Sequence, residues 1–73
     1  SNMTERELFY MKTIAKEKSI SKAAARLYIS QPSLSQYVAR VENALGEKIF
    51  IRTSSGLNLT YAGEKYMQAA TSI

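Results

Sequence analysis

The chain has 73 residues, a formal net charge of +4, 45% hydrophobic and 22% charged residues, which is the composition of one small globular domain. It contains no Cys, no His and no Asp, and its carboxylates are six Glu with no pair at helical i, i+3 or i, i+4 spacing. Disulfides, thiolate or imidazole metal sites and His-based acid–base chemistry are therefore excluded, and neither a cofactor nor an enzymatic activity is expected. No apolar run is long enough to span a bilayer and no secretory signal opens the chain, so a cytoplasmic protein without a membrane partner is expected.

The charge is unevenly placed. Residues 12–52 carry eight Lys or Arg against three Glu, whereas the first eleven residues sum to −1 and the last twenty-one to zero. A basic middle suits a polyanion such as nucleic acid, although a solvated basic surface would give the same count.

Ser1-Asn2 ahead of Met3 reads as an expression remnant. Residues 4–17 then predict a helix, with Thr4 as N-cap, Glu5 and Glu7 in its first turn, and Leu8, Met11, Ile14 and Ala15 on one apolar stripe. Phe9 falls off that stripe. A short second helix is expected at 22–28, capped by Ser21, with Ala24 and Leu27 inward. Ser30-Gln31-Pro32 opens a third helix at 31–44, since Ser suits the N-cap and Pro the first turn. Its apolar stripe is Leu34, Val38, Val41 and Leu45, and Gly46 is placed to end it.

Beyond Gly46 the period changes. Residues 48–52 and 57–59 read as the strands of a β-hairpin around turn-forming residues 53–56. Thr60 caps a last helix that is amphipathic through Ala62, Tyr66, Met67 and Ala70, and the pattern is still running at Ile73. The expected architecture is mainly α with a small β-hairpin, a winged helix-turn-helix at 3–59 followed by a linker helix from 60 to 73. On the third helix, Pro32, Ser33, Ser35, Gln36, Ala39 and Arg40 form the outward arc. Small hydroxyls and an amide at the N-terminal end of a helix held from behind suit the major groove, where Gln can bond adenine N6 and N7 together. Solvated residues of an ordinary bundle helix would look similar; the wing and the flanking cations tip the balance toward DNA.

The run from Ser21 to Ser35 (SKAAARLYISQPSLS) closely resembles the N-terminal DNA-binding domain of LysR-type bacterial transcriptional regulators. Val41-Glu42 with Leu45-Gly46, Ile49-Phe50 with Arg52, and Leu59-Thr60 with Ala62-Gly63 continue the resemblance in register. It implies that the third helix reads double-stranded DNA and that the hairpin is a wing at the minor groove. It also implies a homodimer through the last helix, on which the residue pattern offers Tyr66, Met67 and Ala70 as the face. A small-molecule effector would bind only a further C-terminal domain. The resemblance puts Gln31, Pro32, Ser33 and Ser35 at the DNA and Arg52 at the wing base; Ser21, the outward Gln36 and Arg40 and the wing-tip Ser55 complete the expected DNA-binding residues.

Three positions depart from the family's habit. Gln36 replaces an Arg that often follows the motif's last Ser, Ser55 replaces a basic residue before the wing Gly, and Lys18 replaces a Gly after the first helix. The first two each remove a cation from the expected interface, and the third helix is left at net zero, Arg40 against Glu42. The competing class is a winged-helix protein-interaction module, which would need an apolar outward face on that helix. A membrane-surface domain would need a cationic face opposite bulky apolar residues on an isolated helix.

Overall fold

The computed structural model describes residues 4–71; the expected remnant at 1–2 and the end of the last helix at 72–73 lie outside them. In chain order the elements are α1 (Glu5–Glu17), α2 (Ile20–Leu27), α3 (Gln31–Leu45), β1 (Phe50–Thr53), β2 (Gly56–Leu59) and α4 (Tyr61–Thr71). The order is that of a winged helix-turn-helix.

Capping chemistry sets most of the boundaries. Thr4 Oγ1 accepts the Glu7 amide at 3.0 Å and Ser30 Oγ accepts the Ser33 amide at 3.2 Å, which starts α1 and α3 where expected. The second helix begins earlier than expected, because Ser19 and not Ser21 is its cap. Ser19 has an extended backbone and its Oγ accepts the Lys22 amide at 3.1 Å. Ser21 falls inside the first turn, and Tyr28 leaves the helix as its left-handed C-cap.

Helices α1, α2 and α3 meet over Met11, Ile14, Ala23, Ala24, Leu34 and Val38, and the wing adds Ile49, Phe50 and Leu57. Met11, Ile14, Leu34 and Ile49 are fully buried. The apolar stripe of α3 fades toward its C-terminus: Val41 is half-buried and Leu45 is 49% exposed. Leu45 thus belongs to the surface and not to the core, a correction to the expected stripe.

The hairpin is antiparallel with Phe50 opposite Leu59, Arg52 opposite Leu57 and Thr53 opposite Gly56, leaving Ser54 and Ser55 as its two-residue loop. Strand pairing starts only at Phe50, two residues later than expected, because Ile49 is committed elsewhere. Its amide donates to Glu42 Oε2 at 2.8 Å and its carbonyl accepts the Thr60 amide at 2.9 Å. Thr60 Oγ1 also donates to the Lys48 carbonyl at 2.6 Å and accepts the Gly63 amide at 2.9 Å. Gly63 is required there, since a Cβ would sit 2.1 Å from the Ile49 carbonyl oxygen. The close approach carries α4 back across the domain, where Tyr66 donates its hydroxyl proton to Glu7 Oε2 at 2.5 Å.

Candidate nucleic-acid interface

The core face of α3 holds the helix in place and leaves its other face outward. Gln31, Pro32, Ser33, Ser35, Gln36, Ala39 and Arg40 are all exposed, opposite the buried Leu34 and Val38. The N-terminal end is stiffened by hydroxyls, for Ser30 Oγ donates to Ser33 Oγ at 2.8 Å while capping the helix. Further along, the Arg40 guanidinium lies 5.6 Å from the centroid of the Tyr37 ring, which packs at 5.0 Å on the Tyr10 ring. This stacking restrains a cation one turn beyond Gln36.

Glu42 does not neutralise that face. Its carboxylate points to the wing, accepting the amides of Ile49 at 2.8 Å and Phe50 at 3.3 Å, with Lys48 Nζ at 3.7 Å. Its side chain is only 11% exposed. The third helix keeps its formal net zero, but its two charges are separated: Arg40 stays on the outward face and Glu42 is turned to the wing.

The wing lies beside α3. Ser35 and Arg52 line one cleft of about 400 Å³ together with Val38, Phe50 and Leu57. At the wing tip, Asn58 Nδ2 donates to Thr53 Oγ1 at 2.6 Å and to Ser55 Oγ at 3.0 Å, so Ser55 is exposed but held. Asn58 was not among the expected site residues; the polar position between Leu57 and Leu59 was the signal for it. Ser21 is exposed at the start of α2 with its hydroxyl 3.1 Å from Ser19 Oγ, between the exposed Lys18 and Lys22. Arg26 is turned aside into an ion pair with Glu17 at 3.0 Å.

The expected dimer face needs correction. Tyr66 and Ala70 are buried in their own domain, Tyr66 against Glu7, and Met67 is half-buried. Burial first, and then the Glu7 carboxylate, push the Tyr66 hydroxyl pKa well above its usual range. The exposed side of α4 instead carries Tyr61, Glu64, Lys65, Gln68 and Ala69. Beside it, a groove of about 580 Å³ runs between Leu45 and Ala44 of α3 and Tyr61 and Lys65 of α4.

Among the described residues no three acidic or other ligating side chains gather to hold a metal ion, and no helix is long and apolar enough to cross a membrane. A capped helix held from behind, with a wing at its side, defines the class: a winged helix-turn-helix domain. Residues 6–64 match the bacterial regulatory helix-turn-helix proteins of the lysR family, and the chain belongs to that family.

The uncharacterized HTH-type transcriptional regulator YkuM of Bacillus subtilis is 45% identical over 71 residues, which cover 97% of this chain and 24% of that protein. The chain thus spans about a quarter of that relative's length. The same fold occurs in the DNA complex of the CbnR DNA-binding domain (TM-score 0.82, 32% identity, 94% of this chain and 79% of that one). It also occurs in the BenM DNA-binding domain bound to catB site 1 DNA (TM-score 0.83, 34% identity, 96% and 79%).

Proposed function

We propose that this chain binds double-stranded DNA sequence-specifically, as the DNA-binding domain of a transcription regulator of the lysR family. The observation that carries the reading is the outward face of α3: exposed Ser, Gln, Pro and Arg at the N-terminal end of a helix whose opposite face is locked in the core. A face so small and polar fits a major groove and gives a protein partner little apolar area to bury. The DNA named in the CbnR and BenM complexes supports the same partner here.

In this reading Gln31, Ser33, Ser35 and Gln36 face base edges, while Ser21, Pro32, Arg40, Arg52 and Ser55 line the path of the phosphates. The activity is binding without catalysis, and its setting is the bacterial cytoplasm. Two copies pair through the exposed side of α4 around Tyr61 and Lys65, a two-fold arrangement that matches a symmetric operator. Small-molecule sensing belongs to a further domain of the whole regulator.

Competition binding tests this. The chain should retain a labelled duplex against excess single-stranded DNA or RNA, with affinity falling steeply as salt rises. Equal binding to all three nucleic acids at moderate salt would remove the reading.

A further inference from the structure

Tyr28 stands apart from the other four tyrosines. Tyr10 and Tyr37 pack against each other with tilted rings, Tyr66 is hydrogen-bonded to Glu7, and the Tyr61 ring lies 5.3 Å from Lys65 Nζ. Tyr28 is 94% exposed, so its ring has almost no contact with its own domain. Its backbone is left-handed, φ 58°, a conformation that suits Gly or Asn and is strained for a bulky side chain. The turn needs this backbone shape, because the amides of Tyr28 and Ile29 close the end of α2 on the carbonyls of Ala25 and Ala24 at 3.2 and 3.0 Å. It does not need the ring. A small residue would close the same turn with less strain.

Position gives the ring a use. Tyr28 lies three residues before Gln31, so their Cα atoms are no more than about 11 Å apart. Ile29, between Tyr28 and the Ser30 cap, is turned toward the core, which leaves Tyr28 on the outside of the turn that delivers α3. With the N-terminal end of α3 in a groove about 12 Å wide, a residue this close to Gln31 stands at the groove wall, where the phosphates run.

We infer that Tyr28 is a DNA-backbone contact, its hydroxyl donating to a phosphate oxygen and its ring lying along the adjoining sugar. This rests on the DNA-binding reading above and adds a residue to it. The contact positions the recognition helix and carries no base information. Being uncharged, it releases no counterion, so it contributes affinity without salt dependence.

The test uses a random-sequence 25-base-pair duplex as probe at low salt, with binding by fluorescence anisotropy and thermal stability read on the same samples. Tyr28→Asn and Tyr28→Gly relieve the left-handed backbone, so both should melt several degrees higher than the parent chain. Both should nevertheless bind about tenfold more weakly, the loss expected for a hydrogen bond to a charged group. Tyr28→Phe should keep the parent's stability and lose most of the same affinity. In all three the slope of log affinity against log salt should match the parent. Variants that melt higher and bind as tightly as the parent would overturn the contact, as would a Tyr28→Phe variant with full affinity. If the parent itself fails to bind the duplex, the DNA-binding reading falls and this inference falls with it; parent binding with unchanged variants refutes the inference alone.

Discussion

The amide of Leu57 donates to the carbonyl of Lys18 at 3.0 Å, tying the second strand of the wing to the residue that ends α1. Lys18 is itself left-handed, φ 56°, so the wing is docked on a strained cap. Gly56, the neighbour of Leu57, is also at positive φ, and a Cβ there would lie 3.0 Å from the same Lys18 oxygen. This close approach fixes one end of the wing against the helix-turn-helix.

Two substitutions should therefore move stability in opposite directions. Lys18→Gly relieves the left-handed backbone and should stabilise the domain by about 1 kcal/mol. Gly56→Ala adds both backbone strain and a contact with a carbonyl that cannot move aside, and should cost about 1–3 kcal/mol. Urea denaturation measures both.

Glu42 secures the other end of the wing through the amides of Ile49 and Phe50. Glu42→Ala leaves two half-buried donors without an acceptor and should cost about 2–3 kcal/mol. Amide hydrogen exchange at Ile49 should accelerate in parallel. Glu42→Gln retains an acceptor oxygen and should recover part of both losses.

Much of this fold could be read from the residue pattern. The caps Thr4, Ser30 and Thr60 and the Gly46 terminus act through local chemistry and were found where the pattern placed them, and the hairpin formed with its first strand shifted by two residues. The outward face of α3 was legible for the same reason, since a helix with Leu34 and Val38 inward can present only one other face. Long-range contacts were not legible. The choice between Ser19 and Ser21 as cap depends on backbone that neither residue dictates, and both suit the role. Tyr66 looked like part of an exposed apolar face because its partner, Glu7, lies 59 residues away in the chain. Glu42 entered only as a charge counted against Arg40, and its wing partners seven and eight residues on were not visible in the pattern. The left-handed backbone at Tyr28 gave no signal in the pattern.

The burial of the Tyr66 hydroxyl, together with its hydrogen bond to Glu7, should be visible in the pH dependence of stability. The neutral hydroxyl is favoured in the folded chain, so its folded pKa lies above the unfolded value near 10. A raised folded pKa means the contribution is fully present below pH 10 and is lost as pH climbs beyond it. Tyr66→Phe should cost about 1 kcal/mol at pH 8, and the gap between parent and variant should narrow above pH 10. A gap independent of pH would show that the hydroxyl acts only by packing.

Gln36 and Arg52 should fail in different ways. Gln36→Ala removes a base-edge contact and should cost about 1–3 kcal/mol on the best duplex but little on a scrambled one. Arg52→Ala should weaken both duplexes by a similar factor and reduce the slope of log affinity against log salt by about one per protomer. Equal losses for Gln36→Ala on both duplexes would make it a backbone contact and shift the reading to Gln31, Ser33 and Ser35.

The most direct test is to watch where a duplex touches the chain. In a nitrogen-15 NMR titration with duplex DNA, amide shifts should concentrate at residues 19–22, 28–40 and 52–56, with the Arg40 and Arg52 side-chain signals moving alongside. Residues of α4 and the C-terminal end of α3 around Leu45 should stay nearly still at the first additions. Shifts confined to α4 and the groove beside Leu45, with α3 from Gln31 to Arg40 unmoved, would contradict the assignment of α3 as the reading helix.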